Sequence, residues 1–542
     1  MRKELLLVLG DEKKTYVSIL IYTVFIGLAG VSIPVSIQAL VNIIPSTMMY
    51  YPLFLLSGVL LILLTLSMIV YGLQKFVTEI FKRRIFVRIT SLMMTRALYF
   101  DKKTMQSSDT EQIFDRFFEI PNIQTSTTEI LIGAFTAFVQ VVTAVIICSF
   151  YHPSLLIFNI IIVSVVYFIL RSHGASAVKT IIKESTAKYE TASWVAEVGR
   201  KYFYLKSHKA RDYASKKTNT LIANYISQRK KHFHHLFTQI IYLLIVYVIG
   251  NVTLLILCGV LILGEKLTIG QFVATEVFFS YVFTHVLRGG NYLESFYKLV
   301  ASCNKISLFY NIPLEDYSNH NDDFSMTNIH IHSLTMPHIP SKVSLHIDLN
   351  GSYHTFMNFH EKTKSFIMTL LMGWDDQYYN NIRIDTMPFS EINMDKYRDK
   401  VAFIDSSNII CTKIKEFATS SCPMVSQTKF DSIIKLVDLY DAIQALPQKE
   451  HTKIISSKYP LNKEEVIKLK IAKALLEEVK LIIIDYPIAD NIIYDNKPLL
   501  EYIIGDPSIT LVHFTNNQKA VPLAQYVYRY DPQSQSIVKH NV

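Results

Sequence analysis

Cysteine is scarce in this chain: its 542 residues hold five, Cys148, Cys258, Cys303, Cys411 and Cys422. They lack the short repeated spacing of a zinc or cluster site, and their scatter argues against a disulfide-stapled fold. The histidines of "HIHSLTMPHIP" and "HFHH" are not expected to replace them as a metal centre, because such residues are routinely exposed on strands and at helix flanks. Charge is scarce as well, at 18% of residues, while half the chain is hydrophobic. A mean hydropathy of +0.25 is high for a soluble protein.

Long apolar runs fill the first 290 residues. "YVSILIYTVFIGLAGVSIPVSIQALV", Tyr16 to Val41, carries no charge and exceeds the roughly 20 residues that cross a bilayer. Comparable runs are Pro52 to Leu73, Ile130 to Phe150, Pro153 to Leu170, Ile240 to Leu263 and Thr268 to Leu287. The last contains one acid, Glu276. An ionisable group inside a span is costly and faces a polar cavity or a partner. Pro34 is expected to kink the first span.

The connections set the topology. "NIIPSTMMYY", "YH" and "GEK" are short, whereas Gln74 to Glu129 and Arg171 to Gln239 are long and basic, with "FKRRIFVR" and "SQRKKHFHH". Basic residues beside spans stay in the cytoplasm. The long loops, both termini and the C-terminal third are therefore expected there, and "MRKELLLVLGDEKK" reads as a short cytoplasmic lead-in. The net charge of +9 is thus a topology signal, not a nucleic-acid footprint. "EIFKRRIFVRITSLMMTRALYF" has apolar residues every three or four positions, which predicts that the spans continue as amphipathic helices and turn back in deep hairpins. Such hairpins would link the membrane mechanically to a cytoplasmic domain.

From about Met326 the composition changes. Strand-like pieces ("NIHIHSL", "KVSLHIDL", "NIRIDT", "VAFIDSS", "KLIIIDY", "SITLVHF", "YVYRY") alternate with helical ones such as "EEVIKLKIAKALLEEV", which predicts an α/β domain. The expected fold is an α-helical six-span transmembrane domain followed by a cytoplasmic α/β, P-loop NTPase-like domain. The expected boundaries are 1–310, a linker at 311–325, and 326–542.

This order of segments resembles a half-transporter of the ABC exporter type. Features such as "IPVSIQALVN" are similar to bacterial exporters of protein and peptide secretion systems, with no peptidase domain expected ahead of the spans. The resemblance implies ATP and Mg as ligands and a dimer with the same chain or another half-transporter. It also implies a bacterial inner-membrane location, with a periplasmic adaptor as a further partner.

The family's motifs are present in position but altered. A phosphate loop reads GxxxxGK[ST]; its glycines let backbone N–H groups surround phosphate, its lysine meets the outer phosphates and its hydroxyl reaches magnesium. The match is "NFHEKTKS", Asn358 to Ser365. Lys364 and Ser365 fit, but Asn358 and Thr363 replace both glycines. A left-handed backbone disfavours non-glycine residues by roughly 1–2 kcal/mol, less for asparagine, and Thr363 is expected to be the worse loss. Glu361 adds a negative charge to the would-be anion nest.

The LSGGQ-like signature corresponds to "LNKEE", with Asn462, Lys463, Glu464 and Glu465 at the altered positions. That stretch reads as a solvated helix start, since carboxylates there suit helix capping and repel phosphate. In "LIIIDYPIAD", Asp485 takes the magnesium-side role that the resemblance implies, shared with Ser365. Tyr486 stands where the catalytic glutamate would accept a proton from water. A phenol is a poor general base at neutral pH, and loss of such a base lowers rates by about 10²–10⁴-fold. No glutamine occupies Asp405 or Ser406, His332 is a weak stand-in for an adenine platform, and His513 is the candidate sensor of the outer phosphate. The expectation is an exporter-like subunit with impaired or absent hydrolysis. The alternative is a catalytically silent scaffold or regulatory partner of an export system.

Overall fold

The computed structural model describes residues 10, 13–47, 50–100, 111–315, 321–407, 409–420, 422, 424–455, 460–531 and 536–541. Most of the lead-in, part of the first short loop and the middle of the 311–325 linker lie outside the described residues. The chain divides into two compact units between Pro313 and Leu314.

The first unit is helical: α1 (Lys13–Ala29), α2 (Ser32–Thr47), α3 (Tyr50–Leu98), α4 (Ile120–Thr128), α5 (Phe135–Tyr151), α6 (Pro153–Arg200), α7 (His208–Leu263) and α8 (Ile269–Ser307). A 3-10 helix, Glu111–Glu119, precedes α4, and a π-helix, Glu129–Ala134, joins α4 to α5. The break expected at Pro34 falls one turn upstream, between Ala29 and Ser32. Proline has no N–H for the carbonyl four residues before it, here Gly30, so the helix opens where that bond is missing. Gly30 also sits tightly: a Cβ there would lie 2.8 Å from Gln140 Nε2.

Helices α3, α6 and α7 run for 49, 48 and 56 residues. At 1.5 Å per residue even 48 residues reach roughly 70 Å, well beyond a hydrocarbon core of about 30 Å. The extension of α3 buries Gln74, Thr78, Phe81, Ile85, Ile89 and Met93. That three-to-four spacing is the amphipathic stripe expected of the hairpins. Among the described residues, five helical segments are long and apolar enough to cross a membrane. The sixth expected span lies in α8, which is not among those five and whose Ala274, Phe278, Phe279, Val282 and Phe283 are buried among its neighbours. The two-residue loop before α6 works because His152 caps the helix, its ring accepting from Ser154 N–H at 3.1 Å, with Pro153 at the first helical position.

A buried carboxylate ties α4, α6 and α8 together. Glu119 is 3% exposed. It accepts from Lys188 Nζ at 2.5 Å and Tyr189 Oη at 2.6 Å on α6, Ser302 Oγ at 2.5 Å on α8, and Asn122 Nδ2 at 2.9 Å on α4. Burial would raise this carboxyl, but the four donors outweigh it and hold it at about 2.

Among the described residues, the second unit has two sheets. Strands β1 (Asn328–Met336), β2 (Ile339–Asp348), β4 (Ile382–Ile384) and β5 (Met387–Pro388) form an antiparallel sheet in the order β2-β1-β4-β5. The larger sheet uses β3 (Tyr353–Met357), β6 (Val401–Ile404), β7 (Leu481–Ile484), β8 (Thr510–Phe514), β9 (Tyr526–Asp531) and β10 (Ser536–Asn541), in the order β10-β9-β3-β8-β7-β6. All its pairings are parallel except β9 with β10. Helices α9 (Glu361–Leu371), α10 (Lys463–Leu476), α11 (Pro487–Asp495) and α12 (Lys497–Gly505) accompany it. The two faces of the parallel strands feed separate cores: Ile482 and Ile484 join one, Leu481 and Ile483 the other. Burial on both faces explains why "LIII" has no polar alternation. Tip residues of these strands, Asn358 after β3 and Asp485 after β7, therefore share one edge of the sheet, where ligands of open parallel sheets bind.

Candidate functional site

The site is built where β3 meets α9. Asn358 follows the strand with φ of +62°, and its N–H donates to Asn516 Oδ1 at 2.9 Å. The first lost glycine therefore keeps its left-handed backbone, in a residue that tolerates it. The second does not behave as expected. Thr363 is absent from the left-handed region and lies within α9, 1% exposed, its Oγ1 donating to the Pro337 carbonyl. The penalty foreseen for a β-branched residue is not incurred, because α9 starts at Glu361 and makes this position ordinary helix.

That early start changes the anion nest. His360 is the cap of α9, and its Nδ1 accepts from Lys362 N–H at 3.2 Å. One of the helix-start donors that would face phosphate thus already has a partner. The His360 ring lies 3.8 Å, centre to centre, from that of His338 in the β1–β2 turn, so the turn carrying Pro337 and His338 abuts the helix start.

Lys364 is similarly committed. Its Nζ lies 2.7 Å from Asp485 Oδ1 and 2.9 Å from Glu361 Oε2. Burial opposes the Lys364 charge, but the two carboxylates outweigh it and raise its pKa. Burial also pushes Asp485 up, despite the lysine, with Glu361 and Asp405 adding repulsion. The two shifts are compatible, since several acids crowd around one ammonium. Ser365 is exposed next to this pair. Tyr486 is the cap residue of α11, and its ring packs partly buried against the core.

The other expected residues fall elsewhere. Asn462 and Glu465 form a reciprocal capping box at the start of α10, with bonds of 2.9 and 2.7 Å, which is the capping arrangement expected of that stretch. Asp405 is held by Lys470 Nζ at 2.9 Å and by Ser407. Burial would raise its carboxyl, but these bonds keep it below the ordinary range. His332 stands exposed on β1, its ring nearly parallel to that of His330. His513 is fully buried. Its Nδ1 is 3.0 Å from both Tyr353 Oη and Tyr494 Oη, and its Nε2 is 2.7 Å from Asp490 Oδ1. It belongs to a core network, on β8 opposite Ile484, the residue before Asp485. Glu276 lies half-buried on α8, and its Oε2 has no hydrogen-bond partner among the described residues.

Sequence reasoning weighed His338 only among the histidines of "HIHSLTMPHIP" and did not single out His360, Tyr353 or Tyr494. The first two sit in turns whose approach depends on the β1–β2 hairpin. The tyrosines carry no motif, and only a fully buried strand pattern marked their surroundings.

The family model for the ABC transporter transmembrane region matches residues 16–286. The chain belongs to this ABC transporter family. The ABC chain is also 12% identical to a bacterial Atm1-family ABC exporter solved with ATP bound. The TM-score is 0.84, covering 97% of this chain and 96% of that one, so the two share a fold. Among curated relatives, the multidrug resistance-like ATP-binding protein MdlA of Escherichia coli K12 is 23% identical over 123 residues, 22% of this chain and 21% of its own length. The ATP-dependent permease MDL1 of Candida albicans is 23% identical over 296 residues, 49% and 42% of the two chains. The match therefore spans less than half the length of either curated relative. This ABC chain is a multi-pass membrane protein whose helical unit contains the matched region and whose second unit carries the candidate site.

Proposed function

We propose that the chain is an exporter-type half-transporter that binds Mg-ATP weakly and hydrolyses it poorly, acting as a dimer with itself or with another half-transporter. The single observation that carries this reading is the pairing of Lys364 with both Asp485 and Glu361. A phosphate arriving there must displace two carboxylates from the one ammonium meant for it. Ser365 and Asp485 supply oxygen ligands of the kind magnesium takes, so the donor set fits the metal better than it fits a triphosphate. Tyr486 brings no carboxylate to water, and "LNKEE" is engaged in capping its own helix. Glu276, whose Oε2 has no hydrogen-bond partner among the described residues, is the residue we place on the transport path.

The resemblance to exporters and the intact span pattern favour transport as the role. Burial of His513 with Asp490 favours the second reading, a silent scaffold or regulator, because the candidate phosphate sensor serves the core. The test is equilibrium Mg-ATP binding and basal hydrolysis of the full chain in detergent. We expect weak binding, hydrolysis near background, and little change in Lys364→Ala. Vigorous turnover that Lys364→Ala abolishes would refute the proposal.

A further inference from the structure

A cavity lies in the helical unit. Its volume is about 330 Å³ and its lining includes Lys75, Thr128, Glu129, Gly133, Arg288 and Tyr292. Three of these carry charge, and each sits at the end of an apolar run. Lys75 follows Leu73, where the second run ends; Glu129 precedes Ile130, where the third begins; Arg288 follows Leu287, where the sixth ends. Helices α3 and α8 continue past these points as extensions, so the charges share one boundary of the membrane, on the side of the long hairpins.

The charges do not satisfy one another. Among the described residues no ion pair within 4.0 Å joins Glu129 to Lys75 or Arg288. Lys75 lies 5.2 Å from the centre of the Tyr71 ring, and Arg288 reaches the Tyr292 hydroxyl. Glu129 opens the π-helix, a backbone form rare in proteins and frequent at functional sites. The wider turn places the Glu129 carboxylate over Gly133, where a Cβ would lie 3.0 Å from Glu129 Oε1 and 2.9 Å from the Tyr292 ring. Glycine is therefore needed to keep this wall in place. Snorkelling alone would send the two cations apart into water; here both line one cavity with a separate carboxylate.

We propose that this cavity binds the headgroup of a zwitterionic phospholipid, its phosphodiester on Lys75 and Arg288 and its ammonium on Glu129. Basic pockets between spans on the cytoplasmic side take lipid phosphates, and the volume matches a small headgroup at the lower end of ligand pockets. The carboxylate disfavours a polyanion and selects a ligand that carries one charge of each sign. A soluble glycerophosphodiester of ethanolamine has the same chemistry. The position at the membrane boundary favours the lipid. The inference rests on the membrane-spanning fold and is independent of whether ATP binds.

The experiment uses the full chain in nanodiscs and native mass spectrometry, titrating phosphatidylethanolamine, phosphatidylglycerol and free glycerophosphoethanolamine. Lys75→Gln and Arg288→Gln are expected to weaken phosphatidylethanolamine retention by about fivefold each, while Glu129→Gln removes the preference for it over phosphatidylglycerol. Circular dichroism of each variant confirms folding, and Lys179→Gln, on the outer surface of α6, serves as a control expected to leave retention unchanged. Saturable binding of free glycerophosphoethanolamine without lipid retention would replace the lipid with a soluble ligand and overturn the lipid assignment. Equal retention of both lipids, unmoved by all three substitutions, would overturn the site.

Discussion

Lys364 Nζ lies 2.7 Å from Asp485 Oδ1. A lysine placed to receive phosphate and an aspartate placed to hold magnesium thus engage each other, and Glu361 completes the triad at 2.9 Å. The pairing brings together two positions separated by 121 residues of sequence, Lys364 to Asp485, and it suggests how the site could be released.

Glu361→Gln removes one of the two competitors at the start of α9 and leaves the cap intact. We expect Mg-ATP affinity to rise by about fivefold at low salt, with the gain shrinking as ionic strength increases. Isothermal titration at two salt concentrations checks this. No gain at either would show that Glu361 does not hold the lysine back.

Tyr486→Glu places a carboxylate beside Asp485 but leaves the other alterations untouched. Hydrolysis is expected to stay near background, because residues that act as one catalytic unit do not contribute additively. Restoring glycine at positions 358 and 363, the signature stretch and the glutamate together is the minimum expected to give turnover. Phosphate release from each variant measures it. A gain of orders of magnitude from Tyr486→Glu alone would mean that ATP already sits correctly, and the silent-scaffold reading would fall.

The Glu119 cluster predicts an acid dependence of the helical unit. Its carboxyl titrates at about 2 when folded, against an ordinary 4.5. A depressed carboxyl contributes stability that is complete above the unfolded value and lost as pH falls through the folded one. That contribution, about 3 kcal/mol by the shift alone, should be constant from pH 8 to about 5 and decline between about 4.5 and 2. Glu119→Ala should lower the melting temperature at neutral pH and flatten the decline, since Lys188 and Tyr189 then lose their shared acceptor. Thermal unfolding in detergent across pH reads both effects.

Topology is testable by labelling single cysteines in a background without the native five. Positions near Thr47, Tyr151 and Glu265 should react from outside, and those near Lys206 or Lys480 should not. The same protection is expected near Lys103, which lies outside the described residues. Labelling of position 206 in intact cells would reverse the orientation.

Much of this molecule was legible in the chain itself. Apolar runs long enough to cross a bilayer have few other uses, so the helical unit could be read from hydropathy. The same holds for "LIII": burial on both faces removes polar alternation, and β7 stands where that run predicts a strand. The spacing of "KTKS" behind "YHTFM" located the strand-to-helix turn, because local order of elements follows from local pattern. The Pro34 break was legible in kind but displaced by one turn, since the missing hydrogen bond belongs to Gly30.

Other features depended on contacts between distant segments. Nothing local to Thr363 indicated that α9 begins at Glu361 and turns an expected left-handed position into ordinary helix. Nothing in "LVHF" indicated that His513 would meet Tyr353 of β3 and Asp490 and Tyr494 of α11. The pairing of Lys364 with Asp485, the four donors around Glu119, and the meeting of Lys75, Glu129 and Arg288 in one cavity have the same origin. A sequence determines which segments become helices, strands and spans, because those depend on periodicity and on the desolvation of nearby residues. Which charge meets which is decided only when the segments pack, because electrostatic partners are chosen by distance in space and not along the chain.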